Sequence, residues 1–171
     1  LWGKARPNAT VTVKTSWNGQ TYKFSSDGKG GWSLTVSTPV AGGPYKIIFN
    51  DGELLTLQNV LIGEVWFCSG QSNMEMPMGC FDRQPVRGAN DIIAKAKPST
   101  PIRMYTTDSK DGRWVRQFSK TPVEDCQGEW LENTPVNVSH ISAVSYYFAR
   151  YIQEVLEVPV GIVVSTWGGS R

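Results

Sequence analysis

Hydrophobic and polar positions follow two rhythms along this chain. Over residues 1–60 they alternate one for one. Thr10–Lys14 (TVTVK), Gln20–Phe24, Trp32–Val36, Tyr45–Phe49 and Leu54–Leu57 place apolar or β-branched side chains at every second position. That is the period of a half-buried strand. Turn-forming residues separate the runs: Asn18-Gly19, Asp27-Gly28, Gly30-Gly31, Gly42-Gly43-Pro44 and Asp51-Gly52. Short strands with glycine-rich turns at close spacing predict a small β-sandwich. Such a module serves either as a sugar-binding surface or as a support.

From Leu61 the pattern changes to unbroken apolar runs and one helical period. Leu61–Cys68 (LIGEVWFC) reads as a strand buried on both faces, as in a parallel sheet. Asn90–Lys97 has an Asx cap and good helix formers, and Pro98 stops it. Ile102–Thr106 reads as a strand. Residues 108–136 are long and irregular and hold Trp114 and Trp130. Loops of that length inside a domain are functional or disordered, and the tryptophans favour a wall or lid of a sugar site. Ser142–Glu157 is the clearest helix, with apolar positions at Ile141, Val144, Tyr147, Phe148, Ile152, Val155 and Leu156. Ser139 or Ser142 caps its start, and Pro159 closes it. Val158–Ser165 is a second buried strand, ending in Thr166-Trp167-Gly168-Gly169-Ser170. Strand, helix, strand in this order predicts a parallel crossover and an α/β class. Both buried strands end in small residues, so both ends are expected along one edge.

The chemistry sits where the first buried strand stops. Ser69-Gly70-Gln71-Ser72-Asn73-Met74 is small and polar, so the chain turns there. A serine just past a buried strand lies at the carboxyl edge of the sheet, where open α/β folds place their ligands. Ser72, two residues after Gly70, is a candidate nucleophile. The stretch is not the G-x-S-x-G elbow of the α/β hydrolases, and a turn that only caps a strand uses the same residue types.

G-E-V-W-F-C-S-G-Q-S-N-M-E-M, Gly63 to Met76, resembles the signature of the sialate O-acetylesterase family, a branch of the SGNH hydrolases. Three further stretches are similar to that family: Ile141–Arg150, Val158–Gly161 (V-P-V-G) and Ser165–Gly169. Trp2 to Pro7 and Gly42 to Tyr45 resemble its leading β-sandwich region. The resemblance implies a three-layer SGNH-hydrolase (flavodoxin-like) domain over residues 61–171, of which only the first half is present, preceded by the β-sandwich over residues 1–60. It implies hydrolysis of an acetyl ester on sialic acid or a related acetylated glycan, without metal or organic cofactor. It assigns the nucleophile to Ser72 and the oxyanion hole to the N–H of Ser72 with that of Gly168 or Gly169. Gln71, Asn73 and Trp167 are the candidate substrate contacts.

Acyl transfer by serine needs a base and a group that orients it. The single histidine, His140, stands just before the long helix with Asn137 three residues ahead of it. The family's D-x-x-H motif and its Q-G-E-x-N block do not occur here, so His140 is read as structural. The base is then expected from a downstream segment of the same polypeptide, supplying Asp and His. The terminal Gly168-Gly169-Ser170-Arg171 fits a trypsin-like cut in an exposed loop.

Composition narrows the alternatives. A net charge of +2 with both signs scattered gives no footprint for nucleic acid or a membrane surface. No apolar run has transmembrane length. The cysteines, Cys68, Cys80 and Cys126, are odd in number, so they do not all pair within the chain. Cys68 is expected in the core, and pairing of Cys80 with Cys126 is left open. With one histidine and no C-x-x-C, no zinc set is visible. The sequons at Asn8 and Asn137 bear on a secreted eukaryotic protein alone. A periplasmic or secreted location, lysosomal in a eukaryote, fits the family. The competing readings are a non-catalytic carbohydrate-binding protein and a thioesterase or lipase-like hydrolase.

Overall fold

A computed structural model of the protein describes residues 1–110, 113–114, 121 and 126–169. It divides into two compact units, Leu1–Ile62 and Gly63–Arg171.

The first unit is all β. Its strands are β1 (Trp2–Lys4), β2 (Thr10–Thr15), β3 (Thr21–Ser25), β4 (Gly31–Ser33), β5 (Gly42–Asn50) and β6 (Leu54–Ile62). β3, β2, β5 and β6 form one antiparallel sheet in that order, and β1 pairs with β4 in a separate ribbon. Alternation in β2 sends Val11 and Val13 inward, where they meet Ile47. Trp32 of the ribbon lies 5.4 Å from the Phe24 ring and 5.7 Å from the Phe49 ring, which joins ribbon to sheet. The turns are tied by side chains. Asn18 Oδ1 accepts from Thr15 Oγ1 at 2.6 Å, and Asp27 Oδ1 accepts from the N–H groups of Lys29 and Gly31 at 2.8 Å each. The fourth strand is shorter than the alternation predicts: Leu34 still exchanges backbone hydrogen bonds with Leu1 at 2.8 Å, and Thr35 and Val36 leave the ladder. Leu61 and Ile62, read as the start of a buried strand, close β6 instead, where Ile62 pairs with Gly42.

The second unit is α/β. It contains β7 (Glu64–Gly70), α1 (Ser72–Glu75), α2 (Ala89–Ala94), β8 (Ile102–Thr106), β9 (Ser109–Lys110), β10 (Arg113–Trp114), β11 (Leu131–Glu132), α3 (Pro135–His140), α4 (Ala143–Leu156) and β12 (Val160–Thr166). The sheet order is β11-β8-β12-β7. β7 and β8 both run parallel to β12, and β11 is antiparallel to β8. The expected parallel crossover is therefore present, from β8 through α4 to β12.

One face of this sheet is packed. Ile102, Met104, Val160, Ile162 and Val164 are fully buried there with Cys68, under Ala143, Tyr146 and Ala149 of α4. The Tyr146 hydroxyl donates to Asn133 Oδ1 at 2.7 Å, and Asn133 Nδ2 donates to the Lys97 carbonyl at 3.1 Å. This buried chain of bonds pins α4 to the two loops beside it.

Two expectations fail in an informative way. β7 is not buried on both faces: Val65 and Phe67 are 65% and 68% exposed, because β7 ends the sheet and no described helix covers that face. The apolar stripe read on α4 is only partly its buried side: Ile141 and Ile152 join the core, and the rest of the stripe does not. Val144, Tyr147, Phe148, Val155 and Leu156 are 37% to 58% exposed, while the smaller Ala143, Ser145 and Ala149 face the sheet with Tyr146. Close approach of helix to sheet selects small side chains. The helix α3 begins at the end of the stretch read as irregular and runs past it, from Pro135 to His140. Thr134 caps it by accepting from Asn137 N–H at 3.3 Å, with Pro135 in its first turn. Part of that irregular stretch, with the Trp114 side chain, lies outside the described residues. Cys80 and Cys126 are free thiols and Cys68 is buried, as its place in a strand predicts. No described helix is long and apolar enough to cross a membrane.

Burial holds the Tyr146 hydroxyl above its ordinary value of 10.0, against a smaller opposing pull from Arg150. A raised folded value means the native state keeps its proton longer than the unfolded chain. Its contribution is whole below about pH 10 and is lost as pH climbs toward the folded value. Tyr146→Phe removes this response and strands Asn133 Oδ1, at a cost of about 1–3 kcal/mol. Urea unfolding at neutral pH should show the loss, and a series above pH 10 should show a shallower alkaline decline in the variant. An unchanged midpoint and an unchanged alkaline slope would contradict this.

Candidate active site at the carboxyl end of the parallel strands

The register of β7 on β12 builds the site. Cys68 stands opposite Val164, Ser69 opposite Ser165 and Gly70 opposite Thr166. One step further, the Trp167 N–H donates to the Gly70 carbonyl at 3.0 Å. Both strands thus end together, and the residues that follow each are held side by side.

After β7 the chain turns at once into α1. Gly70 makes this possible. Its φ is +158°, and a Cβ there would stand 3.0 Å from the Cβ of Met74. The single turn of α1 is closed by Glu75 N–H on the Gln71 carbonyl at 2.9 Å and by Met76 N–H on the Ser72 carbonyl at 3.0 Å. Gln71, Ser72 and Asn73 are exposed, whereas Glu75, on the same turn, is buried. The turn therefore shows its hydroxyl to solvent and draws its carboxylate inward.

The segment after α1 is clamped to the start of α4. Ala143 N–H donates to the Met76 carbonyl at 2.8 Å, Met78 N–H to the Ile141 carbonyl at 2.9 Å and Gly79 N–H to the Ser139 carbonyl at 2.8 Å. Ser142 caps α4 by accepting from Ser145 N–H at 3.3 Å. The Ser142 and Ser145 hydroxyls also donate to Met74 Sδ, at 3.8 and 3.5 Å. Secured at both ends, the Ser72 turn has little freedom to drift.

The glycine turn after β12 arrives beside it. A Cβ on Gly168 would lie 3.6 Å from Ser72 Cα and 2.6 Å from Glu75 Oε2, so only glycine fits this approach. The Gly168 N–H donates to the Glu75 carboxylate. Gly169 follows with φ +78° and is exposed, and its N–H has no partner among the described residues. Trp167 is half-buried.

The sequence-derived candidates thus fall into two groups. Gln71, Ser72, Asn73, Trp167, Gly168 and Gly169 come together at one end of the sheet. His140 does not join them: it is the exposed last residue of α3. Glu75 belongs to the first group and was missed as a functional residue. Its signal was present, since an acid three residues after the serine on one helical turn shares that turn's side of the site. Among the described residues no three His, Cys, Asp or Glu side chains converge as metal ligands would.

An exposed serine on a tight turn at the carboxyl end of parallel strands, next to a glycine turn from the neighbouring strand, is the arrangement α/β proteins use for chemistry at this edge. Comparison with known proteins makes the relationship particular. No family model matches the sequence. The sialate O-acetylesterases of Mus musculus and Homo sapiens are each 27% identical over 99% of this chain. The chain spans about a third of the length of these curated relatives, 32% and 34% respectively. It is also similar to the crystal structure of a carbohydrate acetylesterase from Xanthomonas citri, with a TM-score of 0.84 and 33% identity over 100% of this chain and 37% of that one. The chain is a relative of the sialate O-acetylesterases, as its motif implied.

Gly70→Val puts a branched side chain at a φ such residues rarely adopt and against Met74. It should cost about 1–3 kcal/mol, the usual scale of imposed backbone strain. Chemical denaturation of the two proteins measures it, and equal midpoints would refute the close approach.

Proposed function

We propose that this chain is the nucleophile-bearing part of a carbohydrate O-acetylesterase acting on sialic acid or a related acetylated glycan. The observation that carries the reading is the meeting of exposed Ser72 with the Gly168–Gly169 turn. Ser72 Oγ attacks the acetyl carbonyl, and a histidine outside this chain takes its proton. The oxyanion is held by backbone N–H groups of Ser72 and the glycine turn. Gly169 is the freer donor, since the Gly168 N–H would have to leave Glu75 to serve. Collapse returns the proton to the departing sugar hydroxyl. Water then attacks the acetyl-enzyme by the same route and releases acetate. Gln71 and Asn73, exposed on either side of the nucleophile, and Trp167 contact the sugar.

The base enters with further polypeptide of the same protein. Three features support that occupant. β7 is a sheet edge with an unpaired side. The faces of β7 and α4 at that edge carry exposed Val65, Phe67, Tyr147, Phe148 and Tyr151, with Trp66 stacked edge-on to Phe148 at 5.1 Å. The relatives are about three times as long as this chain. A parallel sheet is normally covered on both faces. Added strands beside β7 and a helical layer over Val65 and Phe67 would complete the three-layer SGNH domain. The first unit, read as a β-sandwich, precedes it as an accessory or sugar-binding module. The protein acts in the periplasm, outside the cell or, in a eukaryote, in the lysosome, where acetylated glycans are met.

Expressed with all the polypeptide its gene encodes, the protein should hydrolyse p-nitrophenyl acetate and an O-acetylated sialic acid. Ser72→Ala should lower kcat by at least about 10³-fold, the scale of nucleophile loss in serine hydrolases. Residues 1–171 alone should give background rates. Full turnover in Ser72→Ala would overturn the assignment. Glycan binding without any turnover by the whole protein would favour the non-catalytic carbohydrate-binding reading.

A further inference from the structure

Glu75 is a carboxylate only 5% exposed, in a turn whose other polar residues face water. Burying a charge is unfavourable unless it is compensated by strong hydrogen bonds. Part of the compensation comes from across the site: Glu75 accepts the N–H of Gly168, from the strand-end turn that the mechanism requires beside Ser72. Three properties of the sequence make this contact possible. Ser72 and Glu75 share the single turn of α1, so the orientation of one sets the other. Gly168 lacks the Cβ that would collide with Oε2 and crowd Ser72. The Trp167 N–H on the Gly70 carbonyl brings the two segments to the same level.

We propose that Glu75 is a positioning residue for the esterase reaction: its carboxylate locks Gly168 against the nucleophile helix and so aims the next N–H, that of Gly169, at the acyl oxygen. This rests on the esterase reading above. The negative charge is suited to the task. An ionised acceptor holds an amide about twice as firmly as a neutral one, and an oxyanion donor is effective only when its direction is set before the reaction. Glu75 touches neither substrate nor the reacting atoms. Its carboxylate engages the Gly168 amide, which leaves Gly169 as the donor that turns outward.

The test uses the whole protein as wild type, Glu75→Gln and Glu75→Ala. Glutamine keeps an oxygen acceptor of the same reach, so it also guards against a variant that fails to fold. Glu75→Ala should lower kcat on p-nitrophenyl acetate about 10²-fold, as for loss of an oxyanion donor, with KM changed less than about threefold. Glu75→Gln should recover at least about tenfold of that loss, since it restores the geometry with a weaker bond. Hydrogen exchange at the Gly168 amide reads the contact without reference to activity. It should be slow in wild type and Glu75→Gln and faster by at least about tenfold in Glu75→Ala, in line with loss of a charge-assisted bond. Equal kcat in all three proteins would overturn the proposal, as would Gly168 exchange that ignores the substitution. A protected Gly168 in a wild-type protein without esterase turnover would retain the contact, remove its catalytic role and show that the esterase reading itself is wrong.

Discussion

The pairing of β7 with β12 is the constraint on which the site depends. Seven residues of each strand run parallel in register, from Glu64 against Val160 to Gly70 against Thr166. Parallel hydrogen bonding does not tolerate a one-residue slip without turning every side chain to the wrong face. Here a slip would drive Cys68 out of the core and carry the Ser72 turn past the glycine turn it must meet. Everything chemical in the molecule follows from that alignment. The hydroxyl is presented by a turn that begins where the ladder ends, and the glycines arrive because their strand ends at the same level.

The surrounding structure keeps the alignment from being lost. α4 lies on β12 through Ala143 and Ala149, small enough to let helix and sheet approach, and Tyr146 fills the remaining space with its hydroxyl satisfied by Asn133. The same helix begins with a cap that reaches Met74, two residues from Ser72 on the same turn. Core packing and site geometry are therefore one system. A change that loosens α4 also loosens the serine turn, without touching Ser72 or the glycine turn.

Much of this was legible from the chain, for stated reasons. Alternation at Thr10–Thr15 announced a strand because one of its faces is buried and the other is not. Ser142, Glu157 and Pro159 bracketed the long helix because capping is a local property. The serine turn stood out because an apolar run ends there in small polar residues. What could not be read depends on partners far along the chain. Val65 and Phe67 look like core residues in any window, and only the sheet order shows that no described element lies over them. The α4 stripe misled in part for the same reason: Val144, Tyr147 and Phe148 stay exposed among the described residues, while Ile152 and the alanines do the packing. The place of Glu75 on the serine's own turn was legible, but its partner, Gly168, is 93 residues away and was not. The helix α3 is different, since Thr134-Pro135 is a local start signal that was available and outweighed by its irregular surroundings.

The uncovered edge has a consequence for how such a protein must be made. Val65 to Ser69 is a short β-forming run without charge or proline, with Glu64 as its one acidic guard. Runs of this kind, left with unpaired backbone, recruit one another into intermolecular sheets. While the edge stays open, then, the stretch that leads into the Ser72 turn is also the stretch most prone to self-association. Its solubility during synthesis depends on how soon that run docks beside β12, which ties the yield of usable protein to the order in which its parts fold.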